Sequence, residues 1–554
     1  MQSCDTSPRN NSALHHNDEN AWLLKMDDEA PADPNEHQVQ SHQDVACNDH
    51  IIQCEQQKKI FAVLCISLTL FFAAISYFIL WNIIIDNLRY DPHAKLTVIV
   101  WIGFSAVCPL LCGIVADAKM GRFISIFGAA LLHILGIACV SISAREHNSV
   151  KVLSQEVSDT FFYVGLFLIE LGKGGILVNI TAFGADQIND GETDSVRKYC
   201  LRFQWIICFG ILLTSIAFCL VMQSQPNCHW VICIISGISM FLSVAIFILG
   251  RNNYTSYPPI GSFLLDACKI IWHALRCLVC RRMARGAQPE SWFDRSKRTF
   301  GGPFLDMQVE DVKLVIKILP IFLCTIVFWP INFQIYVAFA KQSFFMNLKG
   351  VPIYLVLLFY PLTISVLVPV IDKLALPLLT RCGVEVTPLK RIGAGMVFCA
   401  LSLALAGVVE MQRNKPLYGT FQQELLYGTT VNASTMSVFF QVPQHVFYGF
   451  ANILVFATGL EFAYMESPRY VHGVIIGIFY ATIGFSYLLA RLVPVLDASK
   501  AHGSEEYYFF SLFCLIIVNL MVFTAVSLKY RYLSAPFIVL RSQERGFFSG
   551  YRSI

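Results

Sequence analysis

The chain has 554 residues and a formal charge of +3, and 55% of it is hydrophobic while only 14% is Asp, Glu, Lys or Arg, against about 25% charged residues in an average soluble protein. Five blocks, Ile60–Ile85, Trp230–Gly250, Ile318–Ala340, Gly350–Ile371 and Tyr507–Leu528, each run at least 21 residues without a charge, enough for a helix to cross a hydrocarbon layer about 30 Å thick. Soluble enzyme, fibrous protein and disordered scaffold all fit this poorly; the charge gives no reason to invoke nucleic acid, and the first partner is the lipid bilayer.

In chain order, residues 1–57 hold eleven acidic and two basic residues without helical periodicity, so residues 1–58 read as a disordered acidic tail. No charged start, short apolar run and small-residue cleavage site mark a signal peptide. Twelve predicted spans follow, at roughly 59–85, 95–116, 123–143, 160–181, 203–222, 229–249, 312–339, 350–378, 391–410, 437–463, 471–496 and 507–528. They divide an all-α chain into an N-terminal six-helix bundle at 59–249, a basic linker at 250–311 and a C-terminal six-helix bundle at 312–529. Residues 530–554 form a second tail. Most of the 41 Lys and Arg fall on the side that holds both termini, nine of them between Arg251 and Arg298. That bias places the termini in the cytoplasm, and the acceptor sequon Asn432-Ala433-Ser434 then lies outside. Most of the nineteen cysteines lie in apolar blocks and read as free thiols acting as small apolar residues. Cys277-x-x-Cys280 has no second pair at zinc spacing, so no metal is expected.

Six plus six helices about a basic loop is the layout of the major facilitator fold, whose substrate site lies at the midplane between the halves. Gly113-Ile-Val-Ala-Asp117-Ala-Lys119-Met-Gly121-Arg122 resembles the loop signature of that fold, with Asp117 and Arg122 placed to pair with helix ends and neighbouring charges. Further runs are more specific. Phe183-Gly184-Ala185-Asp186-Gln187, Val309-Glu310-Asp311-Val312-Lys313-Leu314, Phe328-Trp329 with Gln334, Val442-Pro443-Gln444, and Gly459-Leu460-Glu461-Phe462-Ala463-Tyr464 with Pro468-Arg469 and Gly473 together resemble the proton-coupled oligopeptide transporter family. Among its branches the chain is most similar to the peptide/histidine transporters of solute carrier family 15, and there to a divergent member.

The resemblance implies inward proton flow coupled to uptake of di- and tripeptides. A peptide zwitterion needs a cation for its carboxylate and an anion for its amino group, since an unpaired charge at membrane depth costs several kcal/mol. The expected charges are mostly replaced. The first-span Glu-x-x-Glu-Arg of the family aligns with Ser67-Leu68-Thr69-Leu70-Phe71, its fourth-span lysine with Leu177, its fifth-span Tyr and Asn with Gln204 and Cys208, its tenth-span glutamate with Asn452 and its eleventh-span Trp with Tyr480. Fold therefore transfers and substrate does not.

Other residues compete for the role. Glu170 and Lys173 are three apart on one face of the fourth span and read either as a relocated substrate or proton site or as a self-neutralised packing pair. His133 and His445 are the histidines well inside apolar blocks, each a proton carrier or a hydrogen-bonded packing residue. Asn179, Trp329, Asn332 and Gln334 suit a wet cavity wall or interhelical hydrogen bonds. Asp186 stands in the run after the fourth span, and Glu461 with Arg469 reads as a structural or gating ion pair. In the tail, Glu19 with Leu23 and Leu24 fits an acidic dileucine signal of the kind peptide/histidine transporters use to reach endolysosomes, which makes sorting adaptors candidate partners. The membrane is the plasma membrane or an endolysosomal one.

The leading expectation is a secondary active transporter, a proton-coupled symporter of short peptides or histidine-like solutes working by alternating access, with protons as coupling ion and no cofactor. Two alternatives stay open: a transporter of a neutral solute without proton coupling, using Asn179, Gln204, Asn332, Gln334 and Asn452 as an uncharged pocket, and a non-transporting membrane scaffold. Phosphate loops, metal clusters and nucleophile–base arrangements, which an enzyme would need, are not in evidence in the sequence.

Overall fold

The computed structural model describes residues 34–90, 94–144, 154–188, 193–224, 229–259, 261, 263–279, 291–350, 358–384, 386–424, 430–490, 505–530 and 532. Apolar residues along each predicted span fold as helices because a buried backbone in hydrocarbon must satisfy its own hydrogen bonds. The first half holds α1 (Pro34–Tyr90), α2 (Ala94–Val115), α3 (Arg122–Ala144), α4 (Gln155–Ile188), α5 (Thr193–Ser224) and α6 (His229–Leu249). The second holds α8 (Asp306–Phe344), α9 (Phe359–Val370), α10 (Leu376–Arg381), α11 (Pro388–Arg413), α12 (Val442–Met465), α13 (His472–Leu489) and α14 (Glu506–Lys529), with α7 (Phe263–Val279) between the halves. A wide five-residue turn at Ile371–Ala375 joins α9 to α10 into one spanning run.

Among the described residues eleven helical runs are long and apolar enough to cross a membrane. In the place of the eleventh predicted span stands α13, 18 residues without Asp, Glu, Lys or Arg, about 27 Å long at 1.5 Å per residue.

The described residues divide into two units, one ending at Lys58 and the other beginning at Lys59. Residues 34–58, expected as part of a disordered tail, are helical: Pro34 occupies the first helical position, where its missing N–H costs nothing, and neither Gly nor Pro interrupts the chain from Asn35 to Tyr90. The dileucine residues Glu19, Leu23 and Leu24 lie outside the described residues.

Within residues 59–554, α3 lies along α4, and α11 packs between α12 and α14. The halves meet where α2 and α4 contact α13, and where α5 contacts α9 and α12. The α2–α13 seam is backbone on backbone: a Cβ on Gly113 would lie 2.3 Å from the carbonyl oxygen of Gly473, and one on Gly484 would lie 2.3 Å from the Cα of Ala106. Only glycine permits that approach.

The linker is more ordered than its basic composition implies. Helix α7 buries Ala267, Ile270, Ala274 and Cys277, a 3.6-period stripe, against Phe293, Val309 and Val312. Beside it Lys297 Nζ stands 2.7 Å from Asp294 Oδ1, and Lys313 Nζ donates to Glu310 at 2.9 Å and also pairs with Asp294. Burial works against a charged Asp294, yet hydrogen bonds from Lys297, Lys313 and the Ser291 N–H hold its carboxyl below the usual range. Burial also works against a charged Lys297, which its bonds to Asp294 and Glu310 overcome, holding its ammonium above the ordinary range.

At the opposite end, between α11 and α12, strands β1 (Thr420–Glu424) and β2 (Thr430–Ser434) pair antiparallel, with Gln422 opposite Asn432. The sequence reading treats this as loop; five-residue strands carry too few repeats of the period-2 pattern to stand out. Asn432 is exposed on β2 while Ala433 and Ser434 are buried. We expect a glycan at Asn432 that N432Q abolishes, read as a gel shift sensitive to glycosidase. A glycan at Asn253, whose sequon lies at the linker end, would invert the orientation read from the Lys and Arg bias.

Candidate functional site in the seam between the halves

At the linker end, the seam is latched by charge. The chain after α2 closes a wide turn at Ala116–Met120, capped by the Gly121 N–H donating to Ala116 O at 2.9 Å. There Gly121 adopts φ +75°, a conformation that suits glycine. The turn aims buried Asp117 at the start of α13, where Oδ2 accepts from the Val474 N–H at 2.9 Å, a carboxylate on a helix N-terminus. Arg122 pairs with Asp186 at the end of α4 and donates through Nη2 to Arg469 O at 2.9 Å. Asp186 Oδ1 also accepts from Tyr464 OH at 2.9 Å, with His472 Nδ1 at 3.7 Å. Asp117, Arg122 and Asp186 each reach across from the first half to the second.

The expected pairing of Glu461 with Arg469 does not form. Glu461 is held by Arg391 on α11, whose Nη1 and Nη2 donate to Oε2 at 2.7 Å and Oε1 at 2.5 Å, and both residues are buried. Arg469 instead turns its guanidinium over the Tyr257 ring, 5.1 Å from the centroid. A planar fork matched to a carboxylate makes the Arg391 pairing the stronger, and at 70 residues' separation no local spacing announces it.

At mid-depth in the first half, α1, α2 and α4 converge on a charge cluster. Lys173 Nζ lies 2.6 Å from Glu170 Oε2 and donates to Tyr77 OH at 2.8 Å and Ser105 Oγ at 3.1 Å. Tyr77 OH donates to Glu170 Oε1 at 3.0 Å. Glu170 has no exposure, whereas the Lys173 side chain retains 17%, so Lys173 is the more exposed partner of an internally neutral pair. Tyr77 and Ser105, which sequence reasoning missed, complete its shell; each is an isolated polar residue in an apolar helix, and only the fold brings them to the pair. His133 stands one step behind: Nε2 is 3.3 Å from Ser76 Oγ and Nδ1 3.3 Å from Ile169 O, the position of a hydrogen-bonded packing residue.

Across the seam at similar depth, Gln204 Nε2 on α5 donates to Asn452 Oδ1 on α12 at 2.8 Å, Thr181 Oγ1 on α4 lies 3.4 Å from Tyr480 OH on α13, and Trp205 Nε1 donates to Ser365 O on α9 at 2.9 Å. Among the described residues, the buried polar atoms without a hydrogen-bond partner include Asn179 Oδ1 on α4, Gln204 Oε1 on α5, and Trp329 Nε1 and Asn332 Nδ2 on α8. Such orphans cost about 1–3 kcal/mol each.

Residues 123–507 match the family description "PTR2: POT family". The chain belongs to the POT family. Its relatives include solute carrier family 15 member 3 of Mus musculus, 26% identical over 456 residues that cover 74% of this chain and 78% of the relative. Protein NRT1/PTR family 5.12 of Arabidopsis thaliana is 27% identical over 442 residues, again 74% and 78%. Among solved structures, an auto-inhibited POT family peptide transporter superposes with a TM-score of 0.60 at 22% identity, covering 85% of this chain and 98% of that one. A proton-dependent oligopeptide family transporter gives 0.57 at 22% identity, over 83% and 100%. These likenesses show that the chain has the fold of the solved POT transporters, and the chain is a transporter of the POT family rather than an enzyme.

The residues that the sequence reading aligned with the family's charged positions lie in packing contacts. Half-buried Phe71 stacks on Phe209, centroids 6.1 Å apart, and Phe209 stacks on Trp205 at 5.1 Å. Leu70 and Cys208 are buried, while Ser67 and Leu177 are half-buried. Trp329 sits among Phe328, Phe456 and Phe479. Gln334 and His445 each take the packing side of the two readings the sequence left open. Gln334 is bound within the second half, donating to Ala490 O at 2.6 Å and accepting from Tyr508 OH at 2.7 Å. His445 is buried between Phe339 and Phe359, and neither ring nitrogen has a hydrogen-bond partner among the described residues. Asn332 Oδ1 accepts from Tyr448 OH at 3.1 Å, and its amide nitrogen has no hydrogen-bond partner among the described residues.

Proposed function

We propose that the chain is a secondary active transporter of small zwitterionic solutes, of the short-peptide or histidine-like class, moving with protons by alternating access. The observation that carries this reading is the Glu170–Lys173 pair with Tyr77 and Ser105. An internally paired cation and anion are complementary to a zwitterion: a solute carboxylate that takes Lys173 releases Glu170, and the freed carboxylate can accept the solute amine or a proton without net charge entering the membrane. The seam supplies the moving part. The contacts among Asp117, Arg122, Asp186 and α13 must break for the linker end to open, and the Gln204–Asn452 bond must break for a solute to pass between the halves. The linker end is assigned to the cytoplasm, with both termini, on the Lys and Arg bias.

A second reading is favoured by the orphaned amide and indole groups. Asn179, Gln204, Trp329 and Asn332 would satisfy an uncharged polar solute without calling on any charge, and such transport needs no proton.

Uptake into proteoliposomes, with and without an inward acid gradient, separates the two. We expect dipeptide or histidine uptake that accelerates with the gradient. Gradient-independent uptake of a neutral solute would replace the first reading with the second, and correctly inserted protein that moves none of these solutes would support the scaffold alternative.

A further inference from the structure

Helix α7 presents three distinct faces. One stripe, Ala267, Ile270, Ala274 and Cys277, is buried against the chain. On the far side, Leu264, Cys268, Trp272, Leu275 and Val279 recur at steps of four, four, three and four, so they share one face at 100° per residue. That face is bare: Trp272 is 71% exposed and Val279 79%. Along one edge stand the exposed cations Lys269 and Arg276, seven residues apart; Lys269 keeps a loose 3.5 Å contact with Asp266.

We propose that α7 is a lipid-binding element, lying in the headgroup layer with its bare apolar stripe among the upper acyl chains and with Lys269 and Arg276 on anionic lipid phosphates or carboxylates. Three observations choose lipid as the occupant. The helix starts fourteen residues after α6 ends at Leu249 and packs on Val309, Val312 and Ile316 in the first turns of α8, so membrane-crossing helices fix it at the level of the bilayer surface. Its apolar stripe with an exposed Trp and basic flank is the composition that partitions into the interface. The acidic groups beneath it are already neutralised by Lys297 and Lys313, which leaves the outward charge positive and complementary to an anionic leaflet. The inference stands apart from the transported solute. It makes the inter-half linker sensitive to lipid charge.

The test is photocrosslinking of the full chain in lipid nanodiscs, using phosphatidylcholine and phosphatidylserine probes that carry a diazirine high on the acyl chain. Adducts are mapped by mass spectrometry. Adducts should fall on Leu264, Cys268, Trp272, Leu275 and Val279, with the serine lipid favoured by about fivefold for each engaged cation. In K269Q/R276Q the two lipids should label equally. Labelling of the exposed Val518 and Met521 on α14 reports correct insertion. Adducts on α14 with none within residues 263–279 would overturn the proposal, and equal labelling of the wild-type helix by both lipids would overturn its anionic selectivity.

Discussion

Replacing Glu461 with alanine is expected to unfold the protein at much lower temperature than any surface substitution. The Arg391 guanidinium is buried and spends both terminal nitrogens on this one carboxylate. Removing the acid leaves a buried cation unpaired, which costs about 3–5 kcal/mol, a large share of the stability of an ordinary domain. Replacing both partners with apolar residues of similar volume, as in R391M/E461M, leaves no orphan charge and should recover most of the loss. Thermal melting of detergent-purified protein, followed by the size-exclusion peak that survives heating, checks both. A melting temperature for E461A equal to wild type would mean that the pair carries no stability.

Replacing Gly113 with alanine should shift the transporter toward the state open at the linker end. The new methyl would sit 2.3 Å from the Gly473 carbonyl oxygen, which is backbone and cannot rotate away. Overpacking of this kind costs about 1–3 kcal/mol, and it is charged only to the conformation in which α2 and α13 touch. About 2 kcal/mol moves a two-state equilibrium some 30-fold. Spin labels introduced through unnatural amino acids at exposed Lys119 and Lys390, one in each half, would read this as a longer distance population. An unchanged distribution would mean that the seam yields by other means.

Much of this was legible in the sequence, for stated reasons. Membrane helices announce themselves because hydrocarbon tolerates nothing else, so the spans and the partition into halves follow from apolar blocks. Asp117 and Arg122 are legible because glycines around them enforce a turn that aims them. Glu170 and Lys173 are legible because three residues on a helix define a shared face. The partners that decide their chemistry are not: Tyr77 and Ser105 come from other helices, and Arg391 is placed by tertiary packing rather than by spacing. The α7 stripe was present in the periodicity but masked by the basic residues around it, since composition averages over the two faces that the fold keeps apart. The helix at 34–58 was hidden in the same way, by an acidic composition that says nothing against helix formation.

On the proposed function, the Glu170–Lys173 pair holds the solute in place of the charges that the sequence reading finds replaced by Ser67, Leu70, Phe71 and Leu177. The most direct measurement is dipeptide uptake by proteoliposomes carrying E170Q/K173Q beside wild type, at equal inserted protein. Removing both charges together leaves no unpaired ion, so the fold should hold. The account predicts that uptake falls about 100-fold or more, the loss of two charge-assisted hydrogen bonds worth about 1.5–3 kcal/mol each, while the melting temperature stays near wild type. Uptake within about twofold of wild type, where the loss of even one such bond would cost more, would contradict it.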